Sequence, residues 1–415
     1  MTSEIGSLKT GKSTSISYGW AVVAALSLTE TVSYGVLYYA FTVFIEPMQV
    51  TLGWSREAIT GAYSLSLLVS GIAALSIGRW IDVYGARRIM TIGAVAASLL
   101  VAGWAFVDSL FAFYALWVGL GFASAAVLYE PAFALIMRWF QAGRSSALTT
   151  LTFIAGFASV IFIPLAGRLT ADLGWRPALL ILAAILALLT IPVNLFVLRD
   201  PPRLPATPHT PSFTPLIDGV SARDAFRRRD FWWLTISFTL SVFVFVGVGV
   251  HLVPFLISRG YEPIHAATLA GAIGVVALPG RLIFTPLGAR ISRHAVAALL
   301  FITTALGLTV LLFDTSEIGV WAFIILYGLG FGAVTPAKAS LIAETFGTAH
   351  YGDISGRITF FGALPRAVSP FALSLLISLA AGSYQAVLIV LIAAAGLAAF
   401  GVIKAKTSTP IMDSP

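Results

Sequence analysis

An all-α membrane protein of twelve spanning helices, folded as two six-helix bundles related by an internal repeat, is the architecture this sequence predicts, and three observations predict it. The first is composition. Of 415 residues, 58% are hydrophobic and only 10% charged, and the mean hydropathy is +0.94. Soluble domains run at roughly 25% charged, and a soluble chain of this length could not hide so much apolar surface. The second is segmentation, because the apolar residues gather into twelve runs of about the 20 residues that a spanning helix needs. The third is repetition. Gly119-Leu120-Gly121-Phe122, followed by Pro131-Ala132, recurs as Gly328-Leu329-Gly330-Phe331, followed by Pro336-Ala337. The offsets are 209 residues for the glycines and 205 for the proline, and Gly78/Gly288 and Pro164/Pro370 keep nearly the same spacing at 210 and 206.

Taken in order, residues 1–18 are polar and rich in Ser and Thr, with Lys9 and Lys12. They lack the short apolar core and small-residue cleavage site of a signal peptide and read as a tail. The first bundle, 19–198, holds spans at 19–44, 57–80, 88–107, 111–137, 146–170 and 177–198. Residues 199–230 form a linker with six prolines and six arginines, closing in a short amphipathic helix at Ser221–Arg229. The second bundle, 231–403, holds spans at 231–256, 264–288, 295–313, 318–343, 354–379 and 384–403, and 404–415 is a second tail. Within the fourth and tenth spans, the Gly-Leu-Gly motif serves close helix packing.

Orientation follows from Lys and Arg in the loops. With the N-terminus inside, 18 of the 25 basic residues lie on the cytoplasmic side, four outside, and three, Arg281, Lys338 and Arg366, within the membrane. Both termini are therefore expected in the cytoplasm of a multi-pass cell-membrane protein. The net charge of +7 is then an anchor against anionic lipid rather than a nucleic-acid surface. With no cysteine there is no disulfide or thiolate chemistry. No Walker-type loop, paired metal-ligand motif or nucleophile–base set is present in the sequence, so no enzyme activity, metal or cofactor is expected. The expected partners are a small-molecule substrate and the bilayer, with the chain acting as a monomer.

The loop after the second span reads Gly78-Arg79-Trp80-Ile81-Asp82-Val83-Tyr84-Gly85-Ala86-Arg87-Arg88. It resembles the signature of the major facilitator superfamily, with Val83 in place of the usual basic residue. Gly78 permits close helix approach, Asp82 can sit at a neighbouring helix N-terminus, and Arg87 and Arg88 can pair across the inner face. Gly156, Pro164, Gly167 and Asp172-Leu173-Gly174-Trp175-Arg176 extend the likeness. Gly19-Trp20-Ala21-Val22-Val23, Ser33-Tyr34-Gly35 and Thr42-Val43-Phe44 resemble the monocarboxylate transporters and their oxalate/formate antiporter relatives. The resemblance implies the major facilitator fold, alternating access, and a substrate site between the halves. It also implies that Arg281 matches a buried arginine that grips the substrate carboxylate. The chain departs from that pattern at Tyr38, where animal carriers have lysine, and at Ala277, where they have Asp. Arg366 falls about one turn from the lysine of the oxalate-type carriers. Trp117 stands where proton-driven drug antiporters carry a basic residue.

Ionisable groups inside spans are costly and mark function by default. Arg281 can hold a carboxylate bidentately and cannot lose its proton. Arg366 lies between Pro365 and Pro370, which are expected to break the helix and free carbonyls beside it. Ser27, Glu30, Tyr34, Tyr38 and Phe41 share one helix face, a polar and aromatic stripe expected to line a cavity. Glu30 is either a proton-coupling site or a permanent partner of one of the arginines. Glu130 and Lys338 hold matching places beside the repeat prolines and suggest a gate ion pair, with Asp82, Arg87 and Arg88 as further conformational elements. Tyr129, Tyr327 and Phe361 are candidate cavity walls, packing being the alternative. Two functions stay open: a carrier of a small organic anion, a mono- or dicarboxylate, and a carrier or exporter of a larger aromatic or neutral solute with Arg281 structural. A non-transporting sensor is the reading from another class.

Overall fold

The computed structural model describes residues 8–140, 143–200 and 219–405; most of the expected linker (201–218) and the ends of both expected tails (1–7 and 406–415) lie outside the described residues. Among the described residues, twelve helical stretches are long and apolar enough to cross a membrane. They divide into two compact units. Unit 1 runs to Val220 and includes Gly347–Gly356; unit 2 comprises Ser221–Phe346 and Arg357 onward.

Unit 1 begins with α1 (Leu8–Tyr34), a π-helical turn (Gly35–Tyr39) and α2 (Phe41–Leu52), which together make the first span. Next come α3 (Arg56–Tyr84), α4 (Ala86–Trp104), α5 (Leu110–Val127), α6 (Tyr129–Trp139), α7 (Arg144–Ala155), α8 (Ala158–Leu173) and α9 (Trp175–Pro192), the last ending in a π turn at Val193–Val197. Local chemistry sets the ends. Ser55 and Ser109 cap α3 and α5, each accepting a backbone N–H at 3.2 Å. Gly85 and Gly174 turn the chain into α4 and α9 at positive φ. Trp104, Trp117, Phe113, Phe44 and Met48 fill the core.

Unit 2 holds α10 (Ala222–Arg227), α11 (Arg229–Ser258), α12 (Pro263–Arg290), α13 (Arg293–Phe313), α14 (Glu317–Phe346), α15 from Arg357 onward, and α16 (Tyr384–Ala405); α15 as a whole is Tyr351–Leu379. Ser221 caps α10, the short helix expected at the end of the linker. Phe255, Leu256, Leu308, Phe323 and Tyr327 form the core of this unit.

The interruptions differ from expectation. The prolines beside Arg366 do not break the helix, for α15 runs unbroken through Pro365 and Pro370. A long helix loses one hydrogen bond at each proline, and the bonds on either side carry it through. The repeat proline behaves differently in the two units. Before Pro131 the helix breaks at Leu128, which is extended, whereas α14 passes through Pro336 intact. A proline ring crowds the carbonyl four residues back. In unit 2 that residue is Gly332, where glycine lets the backbone tilt aside; a valine there, as at Val127, does not by itself break a helix, since α8 runs through Pro164 after Val160 and α11 through Pro254 after Val250.

The repeated glycines do pack helices closely, but they exchange partners. In unit 1 the second of the pair, Gly121, meets the second span at the Ser66 carbonyl of α3, and Gly119 meets Leu100 of α4. In unit 2 the first, Gly328, meets the second span at Val276 of α12, and Gly330 meets Thr304 of α13. One helical step on, a Cβ at Gly332 would strike the Ala277 carbonyl of α12. Gly332→Ala is accordingly expected to cost about 1–3 kcal/mol as an overpacked contact. Gly249→Ala in α11, which faces open space, should be neutral or slightly stabilising because alanine is the better helix former. Thermal unfolding of both variants checks the contrast.

Candidate functional site

The first span is the most buried of the twelve, and it carries the polar stripe that the spacing foretells. Ser27 donates to the Val23 carbonyl at 2.8 Å, and Thr31 to the Ser27 carbonyl at 2.7 Å. Such back-bonds satisfy a hydroxyl inside an apolar bundle. Glu30 has no such arrangement: it is 0% exposed, and neither carboxylate oxygen has a hydrogen-bond partner among the described residues. The stripe, expected above to line a cavity, is therefore not open along its whole length. Ser27 and Glu30 are closed off by the helices packed on α1, and exposure begins only at the tyrosines.

Tyr34 ends α1, and the π turn that follows carries Tyr38 and Tyr39. Rings join here across three spans. Tyr34 lies 4.6 Å from Tyr129 and 6.2 Å from Tyr38, centroid to centroid, and Tyr38 lies 5.8 Å from Tyr63 of α3. Phe41 is buried, stacked on Tyr63 at 4.5 Å. Three of the candidate residues, Tyr34, Tyr38 and Tyr129, are thus in one set. Tyr129 reaches it because the break at Leu128 makes it the first residue of α6. Tyr63 was missed by sequence reasoning; its place in a featureless apolar run gives no signal.

A second cluster in unit 1 gathers around Asp82. Its carboxylate accepts from Arg138 Nη2 at 2.9 Å, from Gly352 N at 3.2 Å and from Asp353 N at 2.9 Å. The last two are orphan donors in the first turn of α15, so the acid sits at a helix N-terminus as its position suggested. Arg79 Nε approaches Asp353 at 3.4 Å, and the Ser355 hydroxyl donates to Glu130. Gly78 permits the approach, since a Cβ there would strike the Gly352 carbonyl. Arg87 donates to the Leu195 carbonyl, while Arg88 is exposed. Arg138 and Ser355 were not singled out from the sequence. Arg138 reads there as one more loop cation.

In unit 2, Arg281 is half-buried in α12, next to Gly280, which lies against the Leu329 backbone of α14. Arg366 is half-buried in α15. Lys338 Nζ donates to Thr359 Oγ1 at 2.6 Å. Tyr327 is buried in the core, its ring 5.2 Å from Phe323 and 5.7 Å from Phe245. It presents no open face, because an aromatic in an apolar helix gains most by packing. Phe361 packs on Trp232 at 5.4 Å. Among the described residues no group of three His, Asp or Glu is placed to hold a metal ion.

A family model described as Major Facilitator Superfamily matches residues 26–370. The chain is 26% identical over 379 residues to an uncharacterized MFS-type transporter, YcxA, of Bacillus subtilis (strain 168), covering 87% of this chain and 88% of that one. It is 26% identical over 336 residues to monocarboxylate transporter 13 of Bos taurus, covering 80% and 76%. Over 168 residues it is 29% identical to the oxalate:formate antiporter of Oxalobacter formigenes, covering 39% and 38%. Its fold matches the crystal structure of the E. coli fucose:proton symporter with a TM-score of 0.72, 13% identity, and 94% and 98% coverage.

Proposed function

The chain belongs to the Major Facilitator Superfamily, and from that premise we propose that this multi-pass membrane transporter moves a small organic anion, a mono- or dicarboxylate, by alternating access. The observation that carries the reading is Arg281, a guanidinium half-buried within a spanning helix. An arginine within a span marks function by default, and a carboxylate is the partner its planar fork fits best. Relatives among the monocarboxylate transporters and an oxalate:formate antiporter support the same class. Arg281 is the primary anion contact and Arg366 the second, with Tyr34 and Tyr38 supplying hydrogen bonds. Asp82, Arg87, Arg88, Glu130 and Lys338 belong to the conformational machinery. The working form is a monomer in the cell membrane with both termini cytoplasmic.

Glu30 is the proton site in this reading. An uncompensated carboxylate in a dry interior is costly, and a proton removes the charge. The helices packed on α1 carry Tyr129, Glu130 and Arg138 (α6), Arg144 (α7), Arg168 and Asp172 (α8), and Arg176 (α9). Arg138 is held by Asp82, Arg144 by the Phe140 carbonyl, Arg176 by Asp108, and Glu130 accepts from Ser355. Proteoliposome transport tests both parts. Wild-type protein should concentrate a labelled carboxylate when the outside is acidic. Glu30→Gln, locked in the neutral form, should still exchange labelled for unlabelled substrate but lose accumulation under the pH gradient. Undiminished accumulation by the variant would remove Glu30 from the coupling step.

A further inference from the structure

Five of the chain's twelve tyrosines, Tyr34, Tyr38, Tyr39, Tyr63 and Tyr129, form one connected set of rings in unit 1. Tyrosines of membrane proteins gather at the ends of spans, where the ring meets acyl chains and the hydroxyl meets water. Tyr34 and Tyr38 instead lie near the middle of a span that runs Tyr18–Leu52. A hydroxyl turned to hydrocarbon at that depth would have no partner. Tyr38 is 39% exposed, and at that depth a polar space rather than lipid is what its hydroxyl calls for.

Ring geometry separates Tyr38 from its neighbours. Phe41 lies parallel on Tyr63 at 4.5 Å and 8°, and Phe133 parallel on Tyr129 at 5.0 Å and 7°. Tyr38 meets Tyr34, Tyr39 and Tyr63 at interplanar angles of 64°, 78° and 64°. All three are edge contacts, so none of these rings lies parallel to it. Trp104 and Trp117 already fill the core behind Phe41, and packing does not account for the exposed ring. Its position is set by the π turn, a distortion frequent at functional sites, and by Phe162, which fills the space where a side chain at Gly35 would stand.

We infer that the exposed face of Tyr38 seats a flat aromatic ring, so that the transported anion is an aromatic monocarboxylate of the benzoate class rather than a short aliphatic acid. The carboxylate part rests on the anion reading above; the ring part stands on unit 1 alone. An offset-stacked ring on Tyr38 has the geometry that aromatic pairs favour, with centroids about 4.5–7 Å apart.

The test uses the full-length protein in lipid nanodiscs and five ligands: benzoate, cyclohexanecarboxylate, benzamide, lactate and oxalate. Benzoate and cyclohexanecarboxylate share charge and approximate size and differ in the π face. Benzoate should bind about threefold to tenfold tighter than cyclohexanecarboxylate, the range expected of one aromatic pair. Tyr38→Phe should keep that ratio. Tyr38→Leu should abolish it, with cyclohexanecarboxylate binding about as well as it binds Tyr38→Phe, since both variants lose the same hydroxyl; the wild-type ratio decides the matter if the leucine variant fails to fold. Equal affinities for the matched pair, or tighter binding of lactate or oxalate, overturn the ring seat and leave the anion carrier standing. Benzamide binding as tightly as benzoate overturns the anion reading and leaves the ring seat. Binding of none of the five overturns both.

Discussion

Arg281→Ala is expected to abolish the thermal stabilisation that a carboxylate substrate confers on the wild-type protein. A ligand that binds only the folded state raises its apparent stability by mass action, so the shift reads affinity directly. Truncating one partner of a desolvated, hydrogen-bonded charge pair costs about 2–5 kcal/mol, which is roughly 30-fold to several thousand-fold in affinity. At millimolar ligand the shift should vanish. Arg281→Lys keeps the charge but replaces the two-pronged fork with a point charge, and should fall between the two. The alanine variant leaves in place the close approach of Gly280 to α14, and its unfolding midpoint without ligand is measured beside that of wild type. A panel of mono- and dicarboxylates, aromatic acids and neutral solutes measures this. If the variant responds like wild type, the arginine is structural and the substrate is not read through its charge.

Asp82→Ala is expected to give the largest loss of stability of any single charge removal near the ends of the spans. One carboxylate there serves three donors: Arg138 and the backbone N–H groups of Gly352 and Asp353. Its side chain is 9% exposed and that of Arg138 16%. Removing one partner of such a pair leaves the other desolvated and unmatched, at about 3–5 kcal/mol. Asp82→Asn keeps an oxygen for one backbone donor but loses the attraction of a negative charge for Arg138 and for the positive end of α15. It should cost about 1–2 kcal/mol. Unfolding midpoints in a single detergent would rank wild type, asparagine and alanine in that order. Equal midpoints for asparagine and wild type would mean that geometry, not charge, holds the first turn of α15.

The spans were legible because lipid imposes a length and a composition on each of them. The stretches 57–80 and 231–256, read from hydropathy, became Arg56–Tyr84 and Arg229–Ser258. Asp82 was legible through the loop signature, Gly78 to Arg88, that resembles the superfamily's, where an acid at that place can sit at a helix N-terminus. The interruptions were not. Gly35-Val36-Leu37-Tyr38-Tyr39 is as apolar as its surroundings, and a π turn arises from how Phe162 and the neighbouring rings settle around it. Proline alone misled, because the helix breaks before Pro131 but runs through Pro164, Pro254, Pro336, Pro365 and Pro370, so a proline by itself does not decide the outcome. Ring partners such as Tyr63, and acceptors such as Thr359 for Lys338, are set by tertiary packing and leave no trace in local pattern. The orphaned state of Glu30 was hidden for the same reason, since the sequence could only offer it two arginines as partners.

The π turn at Gly35–Tyr39 also says something about how this span tolerates changes of length. A π turn takes up one residue more than the α-helical path it replaces. A single-codon deletion inside it could therefore let α1 run straight into α2 as ordinary helix, with every backbone bond remade. Each residue after the deletion would then keep the face it presents now, because the residue lost is the one the turn absorbs. Phe41, Phe44 and Met48 would stay in the core of unit 1, whereas a deletion in the regular helix on either side would turn them off it by about 100° about the axis. A deletion scan across the span should thus find folding preserved at this turn and lost on either side of it, a pattern that no scan of substitutions would produce.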